Sequence, residues 1–363
     1  MPVLGQFGYA GDYILWWVLY LSVVVHTWCF FRFFPRKKHR KFGLAAGNLL
    51  IFGCLIGAIA LAGESYFRFV SVQTDAFGMS LPARRWFALY TKLNSLGCRD
   101  KEWAREKPAE VRRIAFVGDS VTYGWGIERV EDRFPDRIQN MFEQHIPGKV
   151  EIMNVAKPGW GTASQIQPIK DIIELYDVNE IVLCHVPNDL EELLPTTPEF
   201  NPTQPPDPIW FNPDSSYLLH QLYLWIWLPR VSTVREYDDW LAKGYNNPQI
   251  RRMHLQQLEE IIDFCEQRRV TLRVVLLPFI HTHDEKLPLA DIHVRLREFF
   301  ESKGIDVLDL LPVLAGRDVD TLVVNRYDAH PNEEAHGLFA EAIRLAFYGT
   351  VIPSNSDKEN GSR

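Results

Sequence analysis

The sequence predicts an α/β fold, a parallel sheet covered by helices on both faces, preceded by a two-helix transmembrane hairpin. Three observations predict it. Short β-branched runs alternate with amphipathic helical patterns from about residue 111 onward. Two long apolar runs without formal charge precede them. Most basic residues of that leading part sit between the two runs.

The runs are Tyr13 to Phe31 and Phe42 to Gly63. A helix rises about 1.5 Å per residue, so roughly 20 residues cross the hydrocarbon of a bilayer. Core helices seldom stay apolar on every face, which disfavours a buried soluble hairpin. A cleaved signal peptide carries its charges ahead of the apolar run, and here they follow it. The connecting loop contains Arg36, Lys37, Lys38, His39, Arg40 and Lys41. Basic loops stay cytoplasmic, so the expected topology places the amino terminus and everything after Gly63 outside. Trp16, Trp17, Tyr20 and Trp28 suit the interfaces or the lipid.

The predicted strands are Ile114–Val117, Val150–Val155, Ile181–Cys184, Leu272–Leu277 and Ile305–Leu308. Helical periodicity covers Phe134–His145, Ser164–Tyr176, Ile250–Arg269, Asp291–Phe300 and Asn332–Phe347. Strand–helix alternation of this kind means parallel strands joined by crossover helices. Pro187 to Pro213 holds eight prolines and fits neither a helix nor a central strand. An apolar helical patch follows, Tyr217 to Leu228. Together they form an insertion (187–248), read either as a cover above the carboxyl edge of the sheet or as a surface excursion. The expected organisation is an anchor over 1–64, a juxtamembrane lead-in over 65–110, a catalytic domain over 111–350 and a frayed tail over 351–363.

Composition narrows the function. The chain of 363 residues is 47% hydrophobic, too apolar for a disordered protein. The first 63 residues carry six basic groups and one acid; the remainder carries 33 basic against 45 acidic groups, a net charge of −12. A body that acidic argues against a nucleic-acid partner. Five cysteines without a C-x-x-C pair argue against a disulfide framework or a zinc ribbon.

Four separated blocks carry the chemistry. Gly118-Asp119-Ser120 follows the first strand, where a serine is presented at a strand end beside free backbone N–H groups, or merely caps a helix. Asn154 to Thr162 includes Gly159, whose lack of a side chain suits close approach to a ligand or an ordinary turn. Pro187-Asn188-Asp189 follows the third strand, placing an amide fit to polarise an oxyanion or to form an Asx turn. Asp328-Ala329-His330-Pro331 precedes the last helix, with Pro331 expected at its first position. Here His330 serves as a base and Asp328 as the acid that orients it, or the segment is a helix cap with a bystander histidine. The four blocks share one edge, and together they supply a nucleophile, a base, an orienting acid and oxyanion donors. No G-x-S-x-G elbow occurs, which excludes the α/β-hydrolase arrangement.

The ordered blocks resemble those of the SGNH, or GDSL, hydrolase family, over roughly Arg112 to Phe347. The resemblance implies a flavodoxin-like three-layer α/β/α sandwich with a five-stranded parallel sheet. It implies Ser120 as nucleophile, His330 as base, and an oxyanion hole from the Ser120 and Gly159 N–H groups and the Asn188 side chain. The acid stands two residues before the histidine, where the family usually spaces it three. This leaves either Asp328 or a backbone carbonyl to orient the ring. The run Asn94 to Asp100 (NSLGCRD) resembles a lead-in of envelope-associated members.

The expected activity is therefore a membrane-anchored serine esterase hydrolysing O-acyl esters, acetyl esters foremost, of carbohydrate or envelope glycan; an acylated carbohydrate or lipid ester is the expected substrate partner. Transfer to a sugar hydroxyl, lysophospholipase action and a non-enzymatic membrane protein are the alternatives. No metal or cofactor is expected. The bilayer is a partner, and the transfer reading adds a membrane acyltransferase partner. His281, His283 and Asp284 read as a solvated loop, His185 and His336 as structural or surface residues, and Asp119 as a turn residue. Trp125 and Trp160 flank the serine and glycine blocks and either line a pocket or pack in the core.

Overall fold

Five parallel strands form the central sheet in the order β2-β1-β3-β4-β5. This comes from a computed structural model that describes residues 5–33, 40–76, 80–195, 216–226, 233–280 and 289–352. In chain order the elements are α1 (Gly5–Phe33), α2 (Arg40–Phe69), α3 (Leu81–Tyr90), β1 (Arg112–Gly118), α4 (Ser120–Tyr123), α5 (Phe134–His145), β2 (Val150–Ala156), α6 (Thr162–Tyr176) and β3 (Glu180–His185). There follow α7 (Tyr217–Ile226), α8 (Thr233–Asn246), α9 (Pro248–Arg268), β4 (Thr271–Leu276), α10 (Ala290–Ser302), β5 (Asp306–Asp309), β6 (Val323–Asn325), β7 (Asp328–Pro331) and α11 (Glu333–Ile343).

The described residues fall into two compact units. One holds the residues up to Val72, Ser80–Arg85 and α7; the other holds the sheet and all the rest. In the first unit, Tyr13–Phe33 and Lys41–Phe69 are long and apolar enough to cross a membrane, with mean hydropathies of 1.8 and 2.2. They pair as a hairpin: the Thr27 hydroxyl meets the Cys54 thiol at 3.4 Å. The basic loop between them lies largely outside the described residues.

In the second unit, alternation along the strands makes three layers. Ala115, Val117, Met153 and Leu183 face one cluster with α6, α9 and α10. Ile114, Phe116, Ile152 and Val182 face the other with α5 and α11. Successive residues of a strand point to opposite faces, so an unbroken apolar run feeds both cores at once. That is why these strands read as continuous rather than alternating in the sequence.

Three expectations change. Pro331 does not open the last helix. It ends β7, an antiparallel partner of β6, and Asn332 caps α11 by accepting from the Glu334 and Ala335 N–H groups at 3.1 Å each. The insertion is not one body: α7 groups with the N-terminal helices, whereas Pro187–Leu193 and α8 belong with the sheet. The last helical pattern, expected to Phe347, runs as an α-helix only to Ile343 and continues as a π-type turn over Arg344–Tyr348. The segment 281–288, with His281, His283 and Asp284, the proline-rich 196–215 and the tail beyond residue 352 lie outside the described residues.

Candidate active site

Register brings the first three blocks together. Gly118 pairs with Ala156 on one side and with Cys184 on the other. Ser120, Gly159 and Asn188 follow these three neighbours by two, three and four residues, so all three emerge from one carboxyl edge. This is also where the strand order reverses, between β1 and β3, the usual ligand position in an open doubly wound sheet.

The fourth block arrives on the β6–β7 hairpin and completes a line of polar contacts. Ser120 Oγ stands 2.9 Å from His330 Nε2. His330 Nδ1 stands 2.5 Å from Asp328 Oδ1. The shorter acid–histidine spacing is accommodated because both residues sit on one short strand, whose turn also lets Asp328 Oδ1 accept the His330 backbone N–H at 3.2 Å. Thus Asp328, and not a backbone carbonyl, meets Nδ1. Burial opposes charge on both groups, but their mutual attraction and hydrogen bonding prevail. Asp328 is held below the usual carboxylate range and His330 is raised above the ordinary imidazole value.

Asp119 accepts from the Val121 N–H at 2.9 Å, capping α4, and from Ser120 Oγ at 3.1 Å. It is therefore more than a turn residue: it touches the same hydroxyl as His330. Burial pushes its carboxyl up. Burial and the nearby Asp119 push Asp189 well up as well.

Gly159 is exposed in the left-handed region at φ 76°, with open space where a side chain would stand. Two residues on, Gly161 lies against the Asn188 block: a Cβ there would stand 2.7 Å from the Asp189 carbonyl oxygen. Glu192 stitches the two blocks by accepting the Gly161 N–H at 3.2 Å and the Ser164 N–H at 3.1 Å. The Asn188 side chain lies near the Tyr237 hydroxyl of α8, which donates to Glu191 Oε2 at 3.1 Å.

Trp125 stacks on the imidazole of His330, ring centroids 5.4 Å apart and planes at 24°. Its indole N–H donates to the Asp75 carbonyl at 3.2 Å. The neighbouring Thr74 hydroxyl lies toward the Asp328 carboxylate. Asn325 Nδ2 donates to the Thr74 carbonyl at 3.0 Å, and the Ala76 N–H to the Tyr327 carbonyl at 3.0 Å. A strap over residues 73–76 thus braces the hairpin that carries Asp328 and His330. Trp160 packs at the rim of one core cluster, with Lys157 Nζ 5.0 Å over its ring.

The remaining candidates are structural. His336 is buried, stacks on Phe134 and accepts its N–H at 3.1 Å; burial and then Arg133 bring its imidazole down to about 3. His185 and His254 meet at 3.3 Å between Nε2 atoms, and burial brings His254 down to about 4. The lead-in is structural too. Asp100 accepts the Asn154 N–H at 2.8 Å, and the buried Arg99 donates to the carbonyls of Tyr90, Gly124, Ile127 and Glu128. Sequence reasoning missed Thr74, Asp75, Tyr237, Glu191 and Glu192. The only local signal for the last two was their closeness to Asn188.

A flavodoxin-like sandwich with these blocks on one edge defines an SGNH-type hydrolase. The model of the GDSL-like lipase/acylhydrolase family matches residues 116–338, and the chain belongs to that family of ester-hydrolysing enzymes. No curated protein matches the chain. Similar solved structures include a lipase from a goat rumen metagenome, with 20% identity, covering 66% of this chain and 100% of that one at a TM-score of 0.40. A G-D-S-L family lipolytic protein from Veillonella parvula has 15% identity, with coverages of 65% and 98% and a TM-score of 0.39. A catalytic mutant of an acetylxylan esterase from Geobacillus stearothermophilus has 11% identity, with coverages of 66% and 96% and a TM-score of 0.41.

Proposed function

We propose that the protein is a membrane-anchored serine esterase that cleaves O-acyl esters, acetyl esters of envelope carbohydrate foremost, on the extracytoplasmic side. The observation that carries the chemistry is the continuous contact from Ser120 through His330 to Asp328. Ser120 Oγ attacks the ester carbonyl while its proton passes to His330 Nε2. The resulting imidazolium is held by the Asp328 carboxylate and by the face of Trp125. The oxyanion is met by the Ser120 and Gly159 N–H groups and the Asn188 amide. His330 then gives the proton to the leaving alcohol, and the acyl-enzyme remains. Water, deprotonated by His330, attacks the acyl carbon and frees Ser120 and the carboxylic acid. The anchor reading rests on the two apolar helices and the topology on the basic loop. The carbohydrate reading rests on the lead-in resemblance and the outward domain.

The test compares the full-length protein with its Ser120→Ala variant on acetylated oligosaccharide and on a short-chain aryl ester. Acetate release should disappear in the variant; equal release from both would remove Ser120 from the reaction. The pH profile supplies a second check. His330 must be neutral to act as base, and its pKa lies above the ordinary value of about 6.5. The acid limb of kcat/KM is therefore expected above that value, activity falling as pH drops through it. A limb centred near the carboxylate range would contradict the assignment.

A further inference from the structure

α7 is fastened to α2 by a buried acid. Glu64 Oε2 accepts from Ser216 Oγ at 2.6 Å and from the Leu218 N–H at 2.9 Å, so a carboxylate sits on the N-terminal turn of α7. Its other oxygen pairs with Arg68 at 2.7 Å, and the Arg68 guanidinium lies 5.1 Å from the ring of Tyr13 and 5.0 Å from that of Tyr217. Past this cluster the helices touch through apolar atoms. Leu218 packs onto the bare backbone of Gly63, where a Cβ would stand 3.1 Å away. Phe67 meets Trp225 edge-on at 5.6 Å.

The far end of α7 is exposed and apolar. Trp225 and Ile226 are 44% and 52% exposed, and Tyr66, Phe69 and Val70 at the end of α2 are exposed as well. No Lys, Arg, Asp or Glu occurs between Tyr217 and Ile226. Water is a poor solvent for such a patch, and it continues the apolar surface of α2, whose Ile59 is 73% exposed. Ten residues rise only about 15 Å, too short to span a bilayer.

We infer that α7 is an interfacial helix, lying along the bilayer surface against the carboxyl end of α2 with Trp225 and Ile226 among the lipid acyl chains. The inference rests on the reading of α1 and α2 as membrane spans. The occupant of the patch is lipid, because the patch continues a lipid-facing surface, α7 itself carries no charged group, and the cation beside it, Arg85, lies on the Arg68, Phe69 and Ser71 carbonyls at the end of α2, where lipid headgroups would sit.

The test uses the full-length chain in phosphatidylcholine vesicles, with Cys29 and Cys54 replaced by alanine; the other cysteines are buried. A bimane label goes on Ile226→Cys, on Trp225→Cys as a second position, and on Ile59→Cys as the reference within the span. Lipid brominated along its acyl chains should quench all three. Quenching at position 59 with none at 225 and 226 would overturn the interfacial helix and leave the spans standing. No quenching at any position would overturn both readings.

Discussion

His330→Ala should lower kcat/KM for a short-chain aryl ester by roughly 10⁴-fold or more while leaving the fold intact. On the proposed mechanism His330, whose Nε2 stands 2.9 Å from the Ser120 hydroxyl, is the base, and an alcohol at its ordinary pKa is a poor nucleophile at neutral pH. Asp119 also touches that hydroxyl, at 3.1 Å, but burial pushes its carboxyl up and its other oxygen already caps α4. It therefore leaves the variant only residual turnover. Because Ser120 and His330 act as one unit, the Ser120→Ala, His330→Ala double variant should be no slower than either single variant. A His330→Ala enzyme within tenfold of wild type would show that another group takes the proton.

The second large effect is on stability. Arg99→Ala should lower the folding free energy of the hydrolase unit by about 3 kcal/mol or more. The Arg99 guanidinium is buried, donates to four carbonyls, and lies 5.1 Å over the ring of Trp86. Burial, and then repulsion from Arg133, bring it down to about 10, so the charge is held by backbone dipoles and ring faces. Truncation removes the guanidinium from the Gly124, Ile127 and Glu128 carbonyls, of which Gly124 keeps the Ile127 N–H at 3.2 Å, in the turn directly after the Ser120 helix. For a unit of this size the loss corresponds to roughly 6–12 °C in Tm. Arg99→Lys keeps the charge but loses the planar fork, and should recover only part of it. An unchanged midpoint for Arg99→Ala would mean that the lead-in contributes little to the fold.

The parts of the fold legible in the sequence share one property: their signal is local. Ile114–Val117 and Ile181–Cys184 are strands because buried parallel strands need apolar residues on both faces. Ser120, Gly159 and Asn188 stand out because each follows such a run, and His330 because it stands just before a helical pattern. The β6–β7 hairpin was not legible, since Val323–Asn325 is too short to show a period and the Asp328–Pro331 strand is mixed in polarity. Its existence is what moves Pro331 from a helix start to a strand end and places Asp328 on His330 despite the tighter spacing. The strap at Thr74 and Asp75 and the brace at Tyr237 were hidden for a different reason. They act across many residues of chain, through a carbonyl or a single hydroxyl, and nothing in their neighbours' sequence marks a distant partner. Trp125 stands out by its position, but its stacking on His330 is visible only once the hairpin is in place.

Covalent capture by a fluorophosphonate tests the central claim most directly. Serine Oγ attacks phosphorus, fluoride leaves, and the adduct mimics the tetrahedral oxyanion. The account predicts one modified peptide containing Ser120, lost in Ser120→Ala and much slowed in His330→Ala. An adduct on another residue, or none on a preparation that hydrolyses esters, would contradict it.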